Sequence, residues 1–121
     1  MALLFLTDER FLEHVAGKKH PESPARLEAV WKGLDKLFLD EDLVRIAPRI
    51  ATETELLRCH PIEHIRALES LDAEGGGRMD PDTAISAGSW GAARLAAGSG
   101  LAAVEALTPS EAETAFCAIR Q

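Results

Sequence analysis

Tyrosine is missing altogether from these 121 residues, and other aromatics are few, with two Trp and four Phe. Core filling therefore rests on Leu, Val, Ile and abundant Ala, which favours helices packed closely through small side chains. Cysteine is nearly absent. Cys59 and Cys117 stand far apart, with no Cys-x-x-Cys pair and no disulfide framework. Both read as small apolar core residues, Cys117 within a strand. Basic charge is also scarce: 13 Lys and Arg against 20 Asp and Glu give a formal net charge of −7. The densest basic spot, Lys18-Lys19-His20, has acids around it. Proteins that grip nucleic acid neutralise phosphates with clustered Lys and Arg, so neither nucleic acid nor an anionic membrane surface is an expected partner. The apolar start, Met1 to Leu6, runs straight into Thr7-Asp8-Glu9-Arg10 and has no basic segment before it. It is too short for a signal peptide or a membrane span. It reads as a buried first strand, and the expected location is the cytoplasm. No Gly-x-Gly-x-x-Gly after a strand, no Walker motif and no Gly-x-Ser-x-Gly elbow occurs.

What is present fits one domain spanning residues 1–121, with 46% hydrophobic residues. Leu3 to Leu6 is the first strand. Ser23 reads as a helix N-cap with Pro24 at the first helical position, where its missing N–H costs nothing. Leu27, Val30, Trp31, Leu34, Leu37 and Phe38 then recur at helical spacing, until Asp40-Glu41-Asp42 ends the helix. Leu43 to Ala47 reads as a second strand stopped by Pro48. Thr52-x-x-Glu55 is a capping box opening a short helix that stops near His60-Pro61. A further helix carries Ile62, Ile65, Leu68 and Leu71 on one stripe. Gly75-Gly76-Gly77 is expected to break all regular structure, leaving a flexible loop through Gly88.

A long Ala- and Gly-rich helix follows from about Ser89 to Leu107, with Trp90, Ala93, Ala97, Leu101 and Val104 along its expected packing face. Its three glycines, Gly91, Gly98 and Gly100, each lower intrinsic helix propensity by about 1 kcal/mol relative to Ala. Such a helix needs a flat partner. Thr108-Pro109-Ser110 closes it, and Thr114 to Ile119 reads as a third buried strand. Strand, helix, strand, helices, strand is the order of an α/β fold with a parallel sheet and helical crossovers.

Few side chains point to chemistry. His60 and His64 are spaced i, i+4, as a helical metal pair would be. Pro61 pushes His60 out of helical geometry, so His60 is expected at a junction, bonding a backbone group. His14 and His20 have no acidic or cysteine partner at a recognisable spacing, and His20 reads as a turn residue. Asp80 and Asp82 are a close acidic pair. Turn formation and capping is the simpler role for them, and acceptance of hydrogen bonds from a substrate's backbone amides is the other. Arg26 lies in the first helical turn beside the buried stripe, where an Arg usually directs its charge outward.

These pieces resemble a known family. His20-Pro21-Glu22-Ser23-Pro24-Ala25-Arg26-Leu27 is similar to the His-Pro-Glu-x-Pro-x-Arg-Leu motif near the start of histone deacetylases, acetoin-utilisation proteins and acetylpolyamine amidohydrolases. Asp80-Pro81-Asp82-Thr83 followed by Ser89 to Gly98 resembles that family's loop and long helix. Ala115 to Arg120 resembles the strand leading into its Pro-Pro-Gly-His-His motif. His64 stands where the family usually carries an aromatic.

The resemblance implies a partial three-layer arginase/deacetylase-like fold, with a short parallel sheet of about three strands and several helices. It implies that Asp82 is the rim aspartate that binds the substrate backbone, with Asp80 as its neighbour, and that Arg26 lines the internal acetate-release channel. The implied activity of the full-length family is zinc-dependent hydrolysis of an acetylamide, on lysine side chains, polyamines or small molecules. The family's paired histidines, zinc ligands and carbonyl-polarising Tyr have no counterpart here. The expectation is therefore an amino-terminal fragment that binds no metal and is inactive alone. The alternative is a standalone noncatalytic binding or assembly module derived from the fold, which a reading frame carrying the His-His segment beyond Gln121 would rule out. An open edge on the last strand, with the apolar face of Trp90, Leu101 and Val104, predicts a homodimer.

Overall fold

A computed structural model describes residues 3–17, 20–37, 42–80, 83–108 and 113–120. Strands β1 (Leu3–Leu6), β2 (Leu43–Arg45) and β5 (Thr114–Cys117) form a sheet of order β2-β1-β5, both pairings parallel. Leu4, Phe5 and Leu6 of the central strand are almost wholly buried, as its apolar run requires. Helix α1 (Pro24–Lys36) begins with Ser23 at the N-cap position and Pro24 at its first position, although the Ser23 side chain makes no cap bond. Leu27 enters the core with Trp31 and Leu34 beside it, whereas Val30 and Leu37 are exposed. Phe38, Asp40 and Glu41 lie outside the described residues, as do Lys18, Lys19, Pro109 and Ser110.

Helix α2 (Glu53–Leu56) carries the capping box in full: Thr52 Oγ1 accepts from the Glu55 N–H, and the Glu55 carboxylate accepts from the Thr52 N–H. Helices α3 (Ile62–Ala73) and α4 (Ser89–Leu107) follow as expected. No helix among the described residues is long and apolar enough to cross a membrane.

Four expectations give way. Gly75-Gly76-Gly77 does not end regular structure. Strands β3 (Gly76–Asp80) and β4 (Thr83–Ser86) form an antiparallel hairpin between α3 and α4. Gly76 makes that pairing possible: its φ is +130°, and a Cβ there would stand 2.7 Å from the Ile85 carbonyl oxygen. The long helix α4 does not pack on the face of Trp90 and Val104. Its buried side is Ser89, Ala92, Leu95, Ala96, Ser99 and Ala103, and Val104 is 65% exposed. The expected burial of strand β5 also fails: at the open edge of the sheet, Phe116 is exposed and Cys117 only half-buried, where burial raises the thiol pKa. Cys59 is exposed outright.

The core joins Phe5, Phe11, Leu27, Leu95 and Ala118, with the small side chains of α4 between them. Complete burial of a side chain such as Phe11 contributes about 1.5–3 kcal/mol. Phe11 sits in a short 3₁₀ turn (Glu9–Glu13), which is how the segment after β1 enters the core. Thr7 ties the layers together: its hydroxyl donates to the Ala118 carbonyl at 2.9 Å and accepts from the Trp31 indole N–H at 2.9 Å.

Candidate functional site

Of the residues proposed from sequence, Asp82 lies outside the described residues. Asp80 is the last residue of β3, paired across the hairpin with Thr83. Asp80 and Thr83 line an open-sided cavity of about 660 Å³ between α3, the hairpin and α4. Arg26 projects from the first turn of α1, its side chain 67% exposed and 4.0 Å from the Glu22 carboxylate. It borders a second, smaller cavity of about 220 Å³, which Glu22, Phe116 and Arg120 also line. Arg26 and Asp80 thus face different cavities.

A polar network forms the wall between the two. His14 is buried, and its Nδ1 lies 2.8 Å from Ser89 Oγ at the start of α4. Ser89 Oγ also accepts from the Ser86 N–H at 2.8 Å. On the other side of the ring, His14 Nε2 is 3.9 Å from the Glu22 carboxylate. That carboxylate takes two hydrogen bonds from Arg120, from Nε at 2.9 Å and Nη2 at 2.6 Å. Arg120 Nη1 donates further to the carbonyls of Phe11 and His14, at 2.7 and 2.6 Å. The Arg120 side chain is only 3% exposed. His14 and Ser89 face the larger cavity while Glu22 and Arg120 face the smaller.

The chemistry of the network follows from its burial. Hydrogen bonding to Arg120 holds the Glu22 carboxyl below its ordinary range. Burial, and then the Arg120 charge, push His14 below its usual 6.5, so the ring is neutral in the folded protein near neutral pH. A neutral ring can share one proton with Ser89 across the 2.8 Å contact. Because His14 binds its proton less readily folded than unfolded, its contribution to stability is complete above pH 6.5 and declines as the pH falls below it. Urea titrations at pH 7.5 and 5.5 should show the loss, and His14→Gln should flatten it. The lowered carboxylates Glu22 and Asp8 act only further down, below the ordinary carboxylate pKa near 4.

The hairpin bearing Asp80 is held at its far end. Asp72 Oδ2, from the last turn of α3, accepts from the Gly88 N–H at 3.0 Å and the Trp90 N–H at 2.7 Å. A carboxylate at those orphan donors also meets the positive end of the α4 dipole. Ser86 Oγ donates to the Glu13 carbonyl at 3.0 Å and accepts from the Val15 N–H at 2.9 Å. The segment that presents Asp80 is thus fixed to the loop carrying His14.

The histidines divide by role. His20 Nδ1 accepts from the Glu22 N–H at 3.1 Å, the turn role expected of it. Among the described residues no backbone group bonds the His60 ring, which instead stacks on His64, the centroids 5.1 Å apart. Among the described residues no group of three or more His, Cys, Asp or Glu is placed to hold a metal ion. The described side chains therefore do not fit a zinc centre.

Sequence reading missed His14, Ser89 and Arg120 as a unit because their partners lie 75 to 109 residues apart. The available signal was an Arg directly after the apolar strand Ala115 to Ile119, opposite a Glu in a Pro-bounded turn.

Comparison with known proteins identifies the family and the fold. The Histone deacetylase domain family matches residues 20–121. A protein of Archaeoglobus fulgidus described as a probable deacetylase is 35% identical over 114 residues, covering 93% of this chain and 32% of the relative. A histone deacetylase-like amidohydrolase of Pseudomonas aeruginosa is 36% identical, covering 84% of this chain and 27% of the relative. The HD domain of HDA15 superposes on the whole chain with a TM-score of 0.90 and 28% identity, 36% of that domain being covered. The chain thus spans about a third of the length of the relatives it matches. The matched segment takes in the Glu22 turn, the Asp80 hairpin, α4 and the Arg120 anchor, and on that ground the chain belongs to the histone deacetylase family.

Proposed function

We propose that this chain forms the amino-terminal part of a zinc-dependent deacetylase hydrolysing an acetylamide such as acetyl-lysine or an acetylpolyamine. The observation that carries the reading is family membership over nearly the whole chain together with coverage of only a third of each relative. The chain's share is scaffold and substrate rim. Asp82 accepts substrate backbone N–H groups, with Asp80 beside it, and the rigid attachment of the hairpin through Asp72 and Ser86 supports that role. Arg26, on the 220 Å³ cavity beside Glu22 and Arg120, is the proposed anion-path residue. Bound zinc in such enzymes activates water and polarises the amide carbonyl. The described side chains do not fit that metal, and no step of hydrolysis is assigned to them.

The chain alone, with or without added zinc, is expected to give no turnover of an acetyl-lysine reporter above a denatured control. A chimera joining it to the downstream two thirds of the Pseudomonas aeruginosa amidohydrolase is expected to hydrolyse the reporter in a chelator-sensitive way. In that chimera Asp82→Ala should lower kcat/KM by about tenfold or more, the loss of a charge-assisted substrate contact. A folded, zinc-loaded chimera without turnover would count against the reading.

We propose further that the isolated chain self-associates. The edge position of β5, with exposed Phe116, and exposed Val104 on α4 support this. Light scattering at micromolar concentration should give a dimer mass, and a stable monomer would sink the idea.

A further inference from the structure

We propose that the 660 Å³ cavity between α3, the hairpin and α4 is a binding site for a planar aromatic anion, an aryl carboxylate. The volume falls within the range of small-molecule sites, which are mainly apolar with a few convergent polar groups. Its floor is apolar, supplied by Leu56, Ile65, Leu68, Ile85, Ala93 and Ala97. Around that floor the chain gathers rings. Three of its four histidines and one of its two tryptophans line this single cavity, in a sequence only 5% Phe, Trp and Tyr. His14 is committed to the wall through Ser89 and Glu22. His60 and His64 are stacked on each other, at 5.1 Å and 28° between planes, and among the described residues neither ring has a hydrogen-bond partner. Trp90, on α4, lines the same cavity. Aromatic faces and edges of this kind prefer a flat, π-bearing guest.

Charge selects the anion. The chain is acidic overall, and among the described residues Arg10, Arg26, Arg49, Arg66 and Arg120 each pair with a carboxylate. Arg94, on the cavity wall, has no carboxylate partner among the described residues. Its guanidinium carbon stands 5.5 Å from the centre of the Trp90 ring. A guanidinium spread over an aromatic face keeps its N–H edge available for a carboxylate. Asp80, the one carboxylate on the cavity wall among the described residues, already has an interaction of its own within the protein. The cavity thus offers one planar cation at the border of an aromatic and aliphatic pocket. The inference rests on this lining and does not depend on the deacetylase reading.

The test is NMR titration of the full chain with 2-naphthoate and with its neutral analogue 2-naphthalenemethanol. The two indole N–H signals serve as site and reference, because Trp31 does not line the cavity and is tied to Thr7. Naphthoate is expected to shift the Trp90 signal saturably and leave that of Trp31 in place. The alcohol should bind about tenfold more weakly, as expected for loss of one charge-assisted contact. R94Q should bring the acid down to the alcohol's affinity while leaving the alcohol's unchanged, a pattern an unfolded variant cannot give. Should R94Q fail to fold, the ratio in the unaltered chain decides. Equal affinities, a preference that survives R94Q, or no saturable Trp90 shift at millimolar ligand overturns the proposal. No zinc and no acetylamide enter the experiment, so its failure leaves the deacetylase reading standing.

Discussion

Arg120→Met should destabilise the fold by about 3 kcal/mol, near the low end for breaking a buried ion pair. The change removes four hydrogen bonds at once: two to Glu22 and one each to the carbonyls of Phe11 and His14. Glu22 keeps some access to water, its side chain being 28% exposed, so its stranded charge is partly solvated and the loss stays near that low end. The two carbonyls have no such relief, and an unsatisfied buried acceptor costs about 1–3 kcal/mol. A second substitution separates the two terms. Glu22→Met added to Arg120→Met removes the stranded carboxylate, so the double variant should regain part of the loss while the carbonyl share remains. Urea denaturation of the three variants at pH 7.5, above the His14 window, measures both. Full recovery in the double variant would show that the carbonyls find water and that the pair alone mattered.

The contrast between Arg26 and Arg120 shows what a sequence conveys about such a site. Elements marked by local chemistry were legible: β1 by its apolar run, α1 by Ser23-Pro24 and its stripe, α2 by Thr52 and Glu55. The parallel sheet followed from their order. What depends on contacts across the chain was not legible. Arg26, inside a recognisable motif, is largely exposed, while Arg120 is the buried arginine, its partners supplied by segments about a hundred residues earlier. The hairpin escaped notice because glycine in a strand normally weakens it. Here Gly76 is needed for the close approach of Ile85. The packing face of α4 was misread because Ala occurs on every side of that helix, so periodicity could not choose between Ala93 with Ala97 and Ala92 with Ala96. Gly98 makes that choice, through what lies against it.

Gly98→Ala should therefore lower stability by about 2 kcal/mol or more, in the range for forcing extra volume into a packed site, although Ala is by far the better helix former. By propensity alone, Gly91, Gly98 and Gly100 are equivalent, and each change to Ala gains up to about 1 kcal/mol. Their surroundings separate them. A Cβ on Gly91 or Gly100 meets nothing within 4 Å. A Cβ on Gly98 would overlap the Arg49 carbonyl oxygen and lie 2.7 Å from its carbon and 2.8 Å from the Ala51 nitrogen. Those atoms are backbone and cannot swing aside as a side chain can. The Ala51 N–H donates to the Arg94 carbonyl at 3.0 Å, and Ala51 is wholly buried. Arg49 is also held from both sides, by Glu55 of α2 and Glu105 of α4. The segment can retreat only by giving up these contacts, so overlap outweighs the propensity gain. Thermal melts of the three single variants give the comparison directly. Gly91→Ala and Gly100→Ala should melt at or above the parent, and Gly98→Ala clearly below it. If all three rose together, α4 would not approach the Arg49–Ala51 segment closely in solution. The flat partner that a glycine-rich helix requires would then lie elsewhere.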